Sequence, residues 1–329
     1  MHSQQRFELR RRRVDVRADR VTVQDNLIEF NNNGITVYSS ANVFAGNQIR
    51  RNHNDGLLFA GHCTDCLVLR NDIRLNDHIG VHRGLPASGP VGEFSRNIIM
   101  ENQMIENGYR GLCKLGAGAD NIMIHNYFAR NKERNAFDDV PWDHWDDGYP
   151  SGGNFFADYT GEDRFHGPFQ DIAGGDGLGD QPYVLSSVCA DHFPLLLPFG
   201  EELTADKESV SAGAGGDIRF DLNAGRFNGE RGFLVLGSVS GTTKGIPLPG
   251  GDQVLPVDWD SFTILMLEMR YSAIFTNFDG SLDGEGRATA RLRLGPLPPE
   301  CAGYTLYFAF ACHDPWSFAS NPCTVAIVE

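Results

Sequence analysis

The chain has 329 residues, which is more than one compact core usually holds, so its length predicts two domains. Its net charge of −15 disfavours nucleic-acid binding, because the phosphate backbone would repel it. It contains no apolar run of about 18 residues, so the sequence predicts no membrane insertion through a helix.

A repeat organises residues 1–139. In five copies, an Asn is followed five positions later by a second Asn, with an apolar residue two positions after the first. The pairs are Asn26–Asn31, Asn47–Asn52, Asn71–Asn76, Asn102–Asn107 and Asn126–Asn131. The copies are spaced 21, 24, 31 and 24 residues apart, which is the range typical of a stacked solenoid.

The residue types in this repeat predict a right-handed parallel β-helix within an all-β protein. Apolar residues two positions apart are typical of parallel strands that face a core. Four such pairs are Val43/Ala45, Leu67/Leu69, Ile98/Met100 and Ile122/Ile124. Asn tolerates the left-handed conformation at a sharp bend, and Asn side chains stacked in successive coils form an amide ladder. We therefore assign the ten Asn residues to the corners of the coils.

The repeat has a partial start and one interruption. Residues 6–20 predict a partial coil, and no N-terminal cap is visible before it, which indicates that the β-helix is N-terminally incomplete in this chain. The 31-residue spacing marks an insertion from Gly84 to Ser95, whose Pro and Gly content is typical of a loop. Such insertions project from a solenoid and often border a binding face.

Residues 140–198 are rich in aromatic residues, Gly and Asp, and we predict that they cap the C-terminal end of the β-helix. Without a cap, the last coil would expose its edge and its interior. The aromatic residues suit this packing or, alternatively, a sugar-stacking platform: Trp142, Trp145, Tyr149, Phe155, Phe156 and Tyr159. From Asp138 to Asp180 there are eleven acidic residues and one basic residue, a balance of −10.

This segment resembles the end-cap of NosD-like right-handed β-helix proteins of the carbohydrate-binding and sugar-hydrolase (CASH) type. Their coils commonly finish in N-x-W-D…G-N-Y-W-x-D-Y…D-G-x-G-D-x-P-Y. The matching residues here are Trp145, Asp146, Gly153, Asn154, Phe155, Phe156, Asp158, Tyr159, Asp176, Gly177, Gly179, Asp180, Pro182 and Tyr183. The resemblance covers residues 20 to about 198 and implies a secreted, cell-surface or periplasmic protein. Its relatives include polysaccharide lyases and epimerases, copper-maturation factors and surface proteins.

Residues 199–208 are predicted to be a linker and residues 209–329 an antiparallel β-sandwich. Apolar and polar positions alternate in short runs, for example Ile218-Phe220-Leu222 and Phe262-Ile264-Met266. The segment is similar to a C-terminal β-sandwich module of secreted bacterial proteins, for which we expect a role in attachment or spacing. The matching residues are Gly280, Leu282, Asp283, Gly286–Ala290 and Phe318–Pro322. One disulfide and one free thiol are expected in an oxidising compartment from three cysteines: Cys301, Cys312 and Cys323.

One column of the repeat changes from apolar to cationic in the third and fourth coils. Arg83 and Lys114 occupy the position that Val37 and Phe59 hold earlier. A polyuronate lyase or epimerase needs cations that neutralise the uronate carboxylate and a Lys, His or Tyr that takes the C5 proton. We therefore predict a catalytic site of five residues: His82, Arg83, Tyr109, Arg110 and Lys114. The alternative is that the inserted loop covers this position and that both cations leave the helix wall to reach solvent.

Two other groups are candidates for metal binding. Carboxylates spaced by Gly suit the six to eight oxygen ligands of a structural Ca²⁺, with a solvated loop of Asx turns as the alternative. This group is Asp171, Asp176 and Asp180. Copper would need His, Met or Cys ligands that converge, and the local candidate is His62, Cys63 and Cys66.

Three functions are compatible with these observations. The first is binding or processing of an acidic polysaccharide. The second is a structural or adhesive role, in which the β-helix is a rigid spacer. The third is periplasmic copper maturation. A groove that brings Arg83, Tyr109, Arg110 and Lys114 together favours the first, and a common centre for His62 and both nearby thiols favours the third.

Overall fold

The computed structural model describes residues 8–10, 14–84, 92–116, 118–251 and 253–329. Most of the predicted loop insertion, residues 85–91, therefore lies outside the described residues. The chain forms two compact units. The first ends at Gly161 and also contains Gln181–Leu195, and the second consists of Glu162–Asp180 and Leu196–Glu329. The segment 140–198, predicted to be one cap, is thus divided between the two units.

The first unit is a parallel β-solenoid of about six turns, which confirms the fold predicted from the Asn repeat. Each turn adds one short strand to each of three parallel sheets. Sheet one contains Glu8–Arg10, Leu27–Glu29, Gln48–Arg50, Asp72–Arg74, Gln103–Ile105, Tyr127–Ala129 and Phe155–Phe156. Sheet two contains Thr22–Gln24, Val43–Ala45, Leu67–Leu69, Ile98–Met100 and Ile122–Ile124. Sheet three contains Val14–Val16, Ile35–Val37, Leu57–Phe59, Val81–Arg83, Arg110–Lys114 and Arg134–Asp138. Cys63–Thr64 pairs with Phe94–Ser95 beside these sheets.

From Leu27 to Ala129, the side chain at the centre of each three-residue strand in sheets one and two fills the interior. In sheet one these are the apolar residues two positions after the first Asn of each pair, such as Ile49 and Met104, which have no exposed surface. In sheet two the buried residues are Phe44, Val68, Ile99 and Met123. The flanking pairs predicted to face the core, such as Leu67/Leu69, were therefore displaced by one position. A strand of three residues presents either its centre or its two ends to the core, and the sequence alone did not distinguish them.

Amide ladders connect the turns, as predicted. In the first ladder, Nδ2 of each Asn donates to Oδ1 of the Asn one turn later, at 2.9–3.2 Å from Asn26 through Asn47, Asn71, Asn102 and Asn126 to Asn154. The second ladder runs through Asn52, Asn76, Asn107 and Asn131. A third ladder, which the repeat did not reveal, contains Asn97 and Asn121. These bonds satisfy buried amides that would otherwise destabilise the interior.

The predicted left-handed conformation of the Asn residues is wrong. In all ten positions the residue before the Asn has the positive φ, for example Asp25 at 56° and Glu101 at 56°. The Asn is thereby free to point its amide along the ladder. The repeated glycines provide close approach, because a Cβ on Gly56 would lie 2.7 Å from the carbonyl oxygen of Gly80.

Each ladder ends on a carboxylate. Asn154 donates to Asp191 through its backbone N–H and its side chain, at 2.6 and 3.2 Å. Asn121 donates to Asp143 in the same way. The second ladder passes from Asn131 through Asn135 to Asp158. A carboxylate accepts hydrogen bonds without requiring a further acceptor, so each ladder is complete at this residue.

Aromatic residues of the first unit cover its last turn. The ring of Phe156 stacks on Phe128 at 5.2 Å and on Tyr183 at 3.7 Å. Trp145 is 1% exposed, whereas Trp142 is 69% exposed. The hairpin of Tyr183–Val184 and Ala190–Asp191 brings Tyr183 to this position. Packing on the last turn is thus the role of the buried aromatic residues.

The second unit contains mostly antiparallel sheets that share one apolar core, and Ser209–Ser211 pairs with Cys323–Val328 in parallel. One sheet contains Leu203–Ala205, Gly216–Asn223, Arg287–Leu294 and Phe275–Thr276. The other contains Ser209–Ser211, Cys323–Val328, Thr305–His313, Gly232–Ser238 and Asp279–Ser281, with Phe318–Ala319 on Thr305–His313. Two small ribbons pair Phe165–His166 with Ile172–Ala173 and Ile246–Pro247 with Val254–Leu255. Short 3₁₀ helices are Arg226–Asn228 and Pro299–Cys301.

Three predictions for this unit were wrong. The run at Phe262 is the α-helix Ser261–Met269, which begins at the capping box of Asp260 and Thr263. The segment predicted to be a linker contains the strand Leu203–Ala205. All seven cysteines are free thiols, so the expected disulfide does not form. None of the helices in the described part of the chain has the length and apolar character needed to span a bilayer.

Candidate metal centre

The predicted cationic column exists, but it faces the interior of the solenoid. The register of sheet three stacks Val37, Phe59, Arg83, Lys114 and Asp138 in successive turns. Arg83 and Lys114 are each 1% exposed. Strands of this sheet point both end residues inward and the central residue outward. The alternative in which both cations leave the wall to reach solvent is therefore wrong as well.

Arg83 is buried without an acidic partner among the described residues. Its guanidinium donates to the backbone carbonyls of Phe59 and Gly92, and its Nε has no hydrogen bond. It lies over the ring of Phe94. Burial lowers the pKa of Arg83, partly offset by the neighbouring Cys63. These contacts suit a residue that holds the ends of the inserted loop, and they leave no surface for a uronate.

The remaining residues of the predicted catalytic site face outward. Tyr109 is 36% exposed, and the Arg110 guanidinium binds Glu133 and contacts the Tyr109 ring. His82 lies at the centre of its strand, on the outer face. The wall of sheet three therefore separates these three residues from Arg83 and Lys114. The structure does not form the open groove on which the lyase prediction depended.

His82 instead belongs to a cluster with Asp55 and His78. Nδ1 of His78 lies 2.7 Å from Oδ1 of Asp55, and Nδ1 of His82 lies 2.9 Å from Oδ2 of the same carboxylate. Asp55 comes from the turn before Leu57–Phe59, and His78 from the equivalent turn one coil later. The ring of Tyr109 stacks on His78 at a centroid distance of 5.3 Å. Two stacked turns and one strand thus hold the cluster.

Burial and electrostatics give the three residues different roles. The side chains of Asp55, His82 and His78 are 3%, 17% and 42% exposed. Burial opposes ionisation of Asp55, but hydrogen bonds and charge from His82 and His78 outweigh it and lower its pKa. Asp55 is therefore a carboxylate at neutral pH that orients both imidazoles, while His78 remains accessible from outside.

This cluster has the donor set of a transition-metal site. The ligand atoms of Asp55, His78 and His82 lie within 4.8 Å of one another, and no other group of three potential ligands in the described ranges meets this condition. Imidazole nitrogen suits copper, zinc, iron and nickel, and a carboxylate oxygen can complete the set. Three ligands on a partly exposed surface leave a coordination position open to solvent or a partner.

Neither of the two metal-binding groups predicted from sequence coincides with this cluster. The first is the copper candidate of His62, Cys63 and Cys66. Cys63 and Cys66 face the interior with at most 1% exposure, whereas His62 is on the outside. Burial raises the pKa of the Cys63 thiol to about 11, so it remains protonated. The three side chains therefore have no common centre, and the predicted local copper site does not form.

The predicted calcium ligands lie in the second unit. Asp180 accepts hydrogen bonds from the backbone of Arg164 and Phe165, and Asp176 accepts them from Gln170 and the backbone of Leu178. Asp171 is exposed. Burial raises the pKa of Asp176 to about 8, which favours its neutral form. Calcium binding by these three residues stays a prediction.

Of these three residues, the sequence pointed only to His82, and for a catalytic role, whereas His78 and Asp55 were missed. Asp55 is one turn earlier and lies three residues after Asn52, whereas His78 lies two residues after Asn76. Alignment on the Asn residues therefore does not place Asp55 opposite His78. The available signal was the His78–His82 spacing across one strand, combined with an acidic residue just before Gly56.

Comparison with known protein families gives one match, and it lies in the β-helix region of the chain. Residues 14–161 match the family model described as periplasmic copper-binding protein (NosD). This range includes the β-helix turns and the Asp55–His78–His82 cluster and is less than half of the chain, so together with the fold it supports a likeness of this region to NosD. No curated protein and no solved structure matches the chain.

Proposed function

We propose that this protein is a periplasmic or cell-surface β-helix protein that binds a transition-metal ion through Asp55, His78 and His82, with copper as the first candidate. The observation that carries the proposal is the convergence of one carboxylate and two imidazoles on two adjacent turns. The family description of periplasmic copper binding supports the choice of metal.

The geometry favours a site that exchanges its metal. Asp55 and the two Nδ1 atoms are joined by hydrogen bonds, so a metal ion would replace the protons between them. The exposed His78 gives a partner access to the ion. Three protein ligands leave an open position, which suits transfer better than a closed structural site.

The test is a competition titration of Cu²⁺, Cu⁺ and Zn²⁺ against a coloured chelator. We expect His78→Asn, His82→Asn and Asp55→Asn each to weaken binding by about 10–100-fold or more. His53→Asn is the matched control, because the His53 side chain is 68% exposed and lies 3.6 Å from the exposed Asp77 carboxylate, outside the cluster. Binding should also weaken on acidification, since protons compete for the imidazole nitrogens.

Three results would contradict the proposal. Unchanged affinity in all three site variants would exclude this cluster. Loss of binding in a His62→Asn, Cys63→Ser, Cys66→Ser variant, with the site variants unaffected, would return the metal to the group predicted from sequence. If the wild type bound neither metal nor sugar, the remaining function would be the structural role in which the β-helix is a rigid spacer.

Binding of an acidic polysaccharide is the second candidate, and it is favoured by Tyr109. Its exposed ring lies between His78 and the Arg110 guanidinium on the outer face. The exposed edge of this ring offers apolar contact to a sugar, and a uronate would have to compete with Glu133 for the Arg110 guanidinium. Affinity electrophoresis on a polyuronate panel should show weaker retention for Tyr109→Ala. Tyr271→Ala is the control, since Tyr271 is 75% exposed in the other unit. Equal retention of both variants would remove this candidate.

A further inference from the structure

The interior of the last turns contains a lysine between two carboxylates. Lys114, Asp138 and Asp143 are each at most 1% exposed. They belong neither to the proposed metal centre nor to the outer face of sheet three. A buried ion pair gains little over apolar residues of the same volume, so its presence asks for a chemical explanation.

The lysine amine is positioned against one of these carboxylates. Nζ of Lys114 lies 2.6 Å from Oδ2 of Asp143 and 4.0 Å from Oδ1 of Asp138. Oδ2 of Asp143 receives no other bond from the described residues. Oδ1 of Asp143 accepts two hydrogen bonds from Asn121, from the backbone N–H at 3.0 Å and from Nδ2 at 2.8 Å. The carboxyl group is thus held by two donors on one oxygen and faces an amine with the other.

Asp138 is placed to transfer protons. Its Oδ2 accepts a hydrogen bond from the indole of Trp145 at 2.9 Å, which fixes the carboxyl group beside the amine. Burial raises the pKa of Asp138 to about 7, so it exchanges a proton readily at neutral pH.

We propose that Lys114 and Asp143 condense to form an intramolecular isopeptide bond. Lys114 gives one proton to Asp138, which passes it to Oδ2 of Asp143, and the neutral Nζ attacks Cγ of the resulting carboxylic acid. Charge develops on Oδ1, where the two Asn121 donors stabilise it. The C–Oδ2 bond then breaks, and Oδ2, which already carries that proton, leaves as water with a second proton that Asp138 takes from Nζ. One ammonium and one carboxylate become one amide and one water molecule, with no oxidant or other reactant.

The environment favours this condensation in two ways. It removes two opposite charges from an apolar interior, where each is costly to desolvate. It also joins groups that the fold already holds in contact, so little further translational freedom is lost. The product fastens sheet three to the segment that ends the third ladder.

Mass spectrometry of the purified full chain tests the bond. The denatured wild type should be lighter than its sequence by one water molecule. Trypsin should fail to cleave after Lys114, and the peptide 111–130 should be recovered linked to the peptide 135–164. An unmodified intact mass with normal cleavage at Lys114 overturns the proposal.

Variants distinguish this bond from other losses of water. Lys114→Arg keeps the charge but should retain the full sequence mass, so a persistent loss of water in this variant, as from a succinimide, would contradict the proposal. Asp143→Asn should lose ammonia instead of water and reach the same final mass as the wild type. Asp138→Asn should slow formation at least tenfold in a time course from unfolded protein, whereas Asp139→Asn should not. Equal rates in these two variants would exclude Asp138 as the proton carrier. All readouts are independent of metal binding.

Discussion

The two halves of the solenoid fill the same interior column with opposite chemistry. In the early turns the column consists of Val16, Val37 and Phe59, and in the later turns of Arg83, Lys114 and Asp138. The backbone register continues unchanged through both halves, as do the amide ladders beside it. A parallel β-helix therefore does not need an apolar residue at every inward position. The backbone bonds and the ladders set the coil, and the column is free to acquire another role once its polar atoms are paired.

The largest effect should follow from removal of the lysine in the later half. Lys114→Met leaves Asp138 and Asp143 as buried carboxylates with neither a cation nor the proposed amide bond, and we expect it to lower the free energy of unfolding by about 3–5 kcal/mol or more near neutral pH. The loss should be smaller in mild acid. The pKa of Asp138 is raised in the folded state, so its contribution to stability is present below its unfolded pKa and is lost as pH rises towards about 7.

Denaturant titrations of this variant in mild acid and in mild base measure both effects. Lys132→Met is the control, because Lys132 is an exposed lysine of a nearby turn and should change little at any pH. A cost for Lys114→Met that does not depend on pH would show that the two carboxylates do not carry the effect.

In the early half, loss of buried methyl groups should lower the free energy of unfolding by an amount that does not depend on pH. Val37→Ala removes two buried methyl groups, each worth about 0.8 kcal/mol, and leaves a small cavity. We expect the free energy of unfolding to fall by about 2–3 kcal/mol, equally in acid and in base. The same denaturant titrations measure it. A strong dependence on pH would erase the contrast between the two halves.

The amide ladders should contribute equally to the free energy of unfolding in both halves of the solenoid. Asn47 and Asn102 each accept two hydrogen bonds from the preceding Asn and donate to the next one. Truncation of either to Ala leaves a buried backbone N–H without its acceptor, at a cost of about 1–3 kcal/mol. Hydrogen exchange at the N–H of Asn26 and of Asn71 locates the lesion in each variant. If only one of the two variants lost stability, the contribution of the ladder would depend on the residues in the neighbouring interior column.

The smallest effect is expected on the outer face. Arg70 pairs with Glu101 across two turns, and the arginine side chain is 69% exposed. Arg70→Gln should lower the free energy of unfolding by less than about 1 kcal/mol, and added salt should reduce the difference further. Thermal unfolding of the wild type and the variant at two salt concentrations measures this difference. A larger change would show that surface pairs, rather than the interior, hold the turns together.

The regular features of the solenoid could be predicted from sequence because each depends on a repeated residue. The inward apolar residue of sheet one and two of the ladders follow from Asn spacing alone. The third ladder was missed because Cys66 occupies the position of an Asn in one turn. The left-handed residue before each Asn has no constant type, so no sequence signal marks it.

The candidate sites were harder to predict because they join residues from different turns. The cationic column was identified from spacing, but the anions that face Lys114 lie 24 and 29 residues later in the chain. Asp55 and the histidines show the same difficulty, since the carboxylate and the imidazoles come from different turns and do not occupy equivalent positions in the repeat. The helix Ser261–Met269 was missed because its apolar residues also satisfy an alternating pattern.

The terminal aspartates of the ladders have a consequence for assembly. Every rung passes its N–H groups in the same direction along the chain, so the stack is polar, with a donor end and an acceptor end. Asp143, Asp158 and Asp191 close the donor end with side-chain oxygens that accept its N–H groups. A second solenoid that approached this end would find these N–H groups already bonded. The ends of the ladders therefore offer no donor that would favour head-to-tail growth.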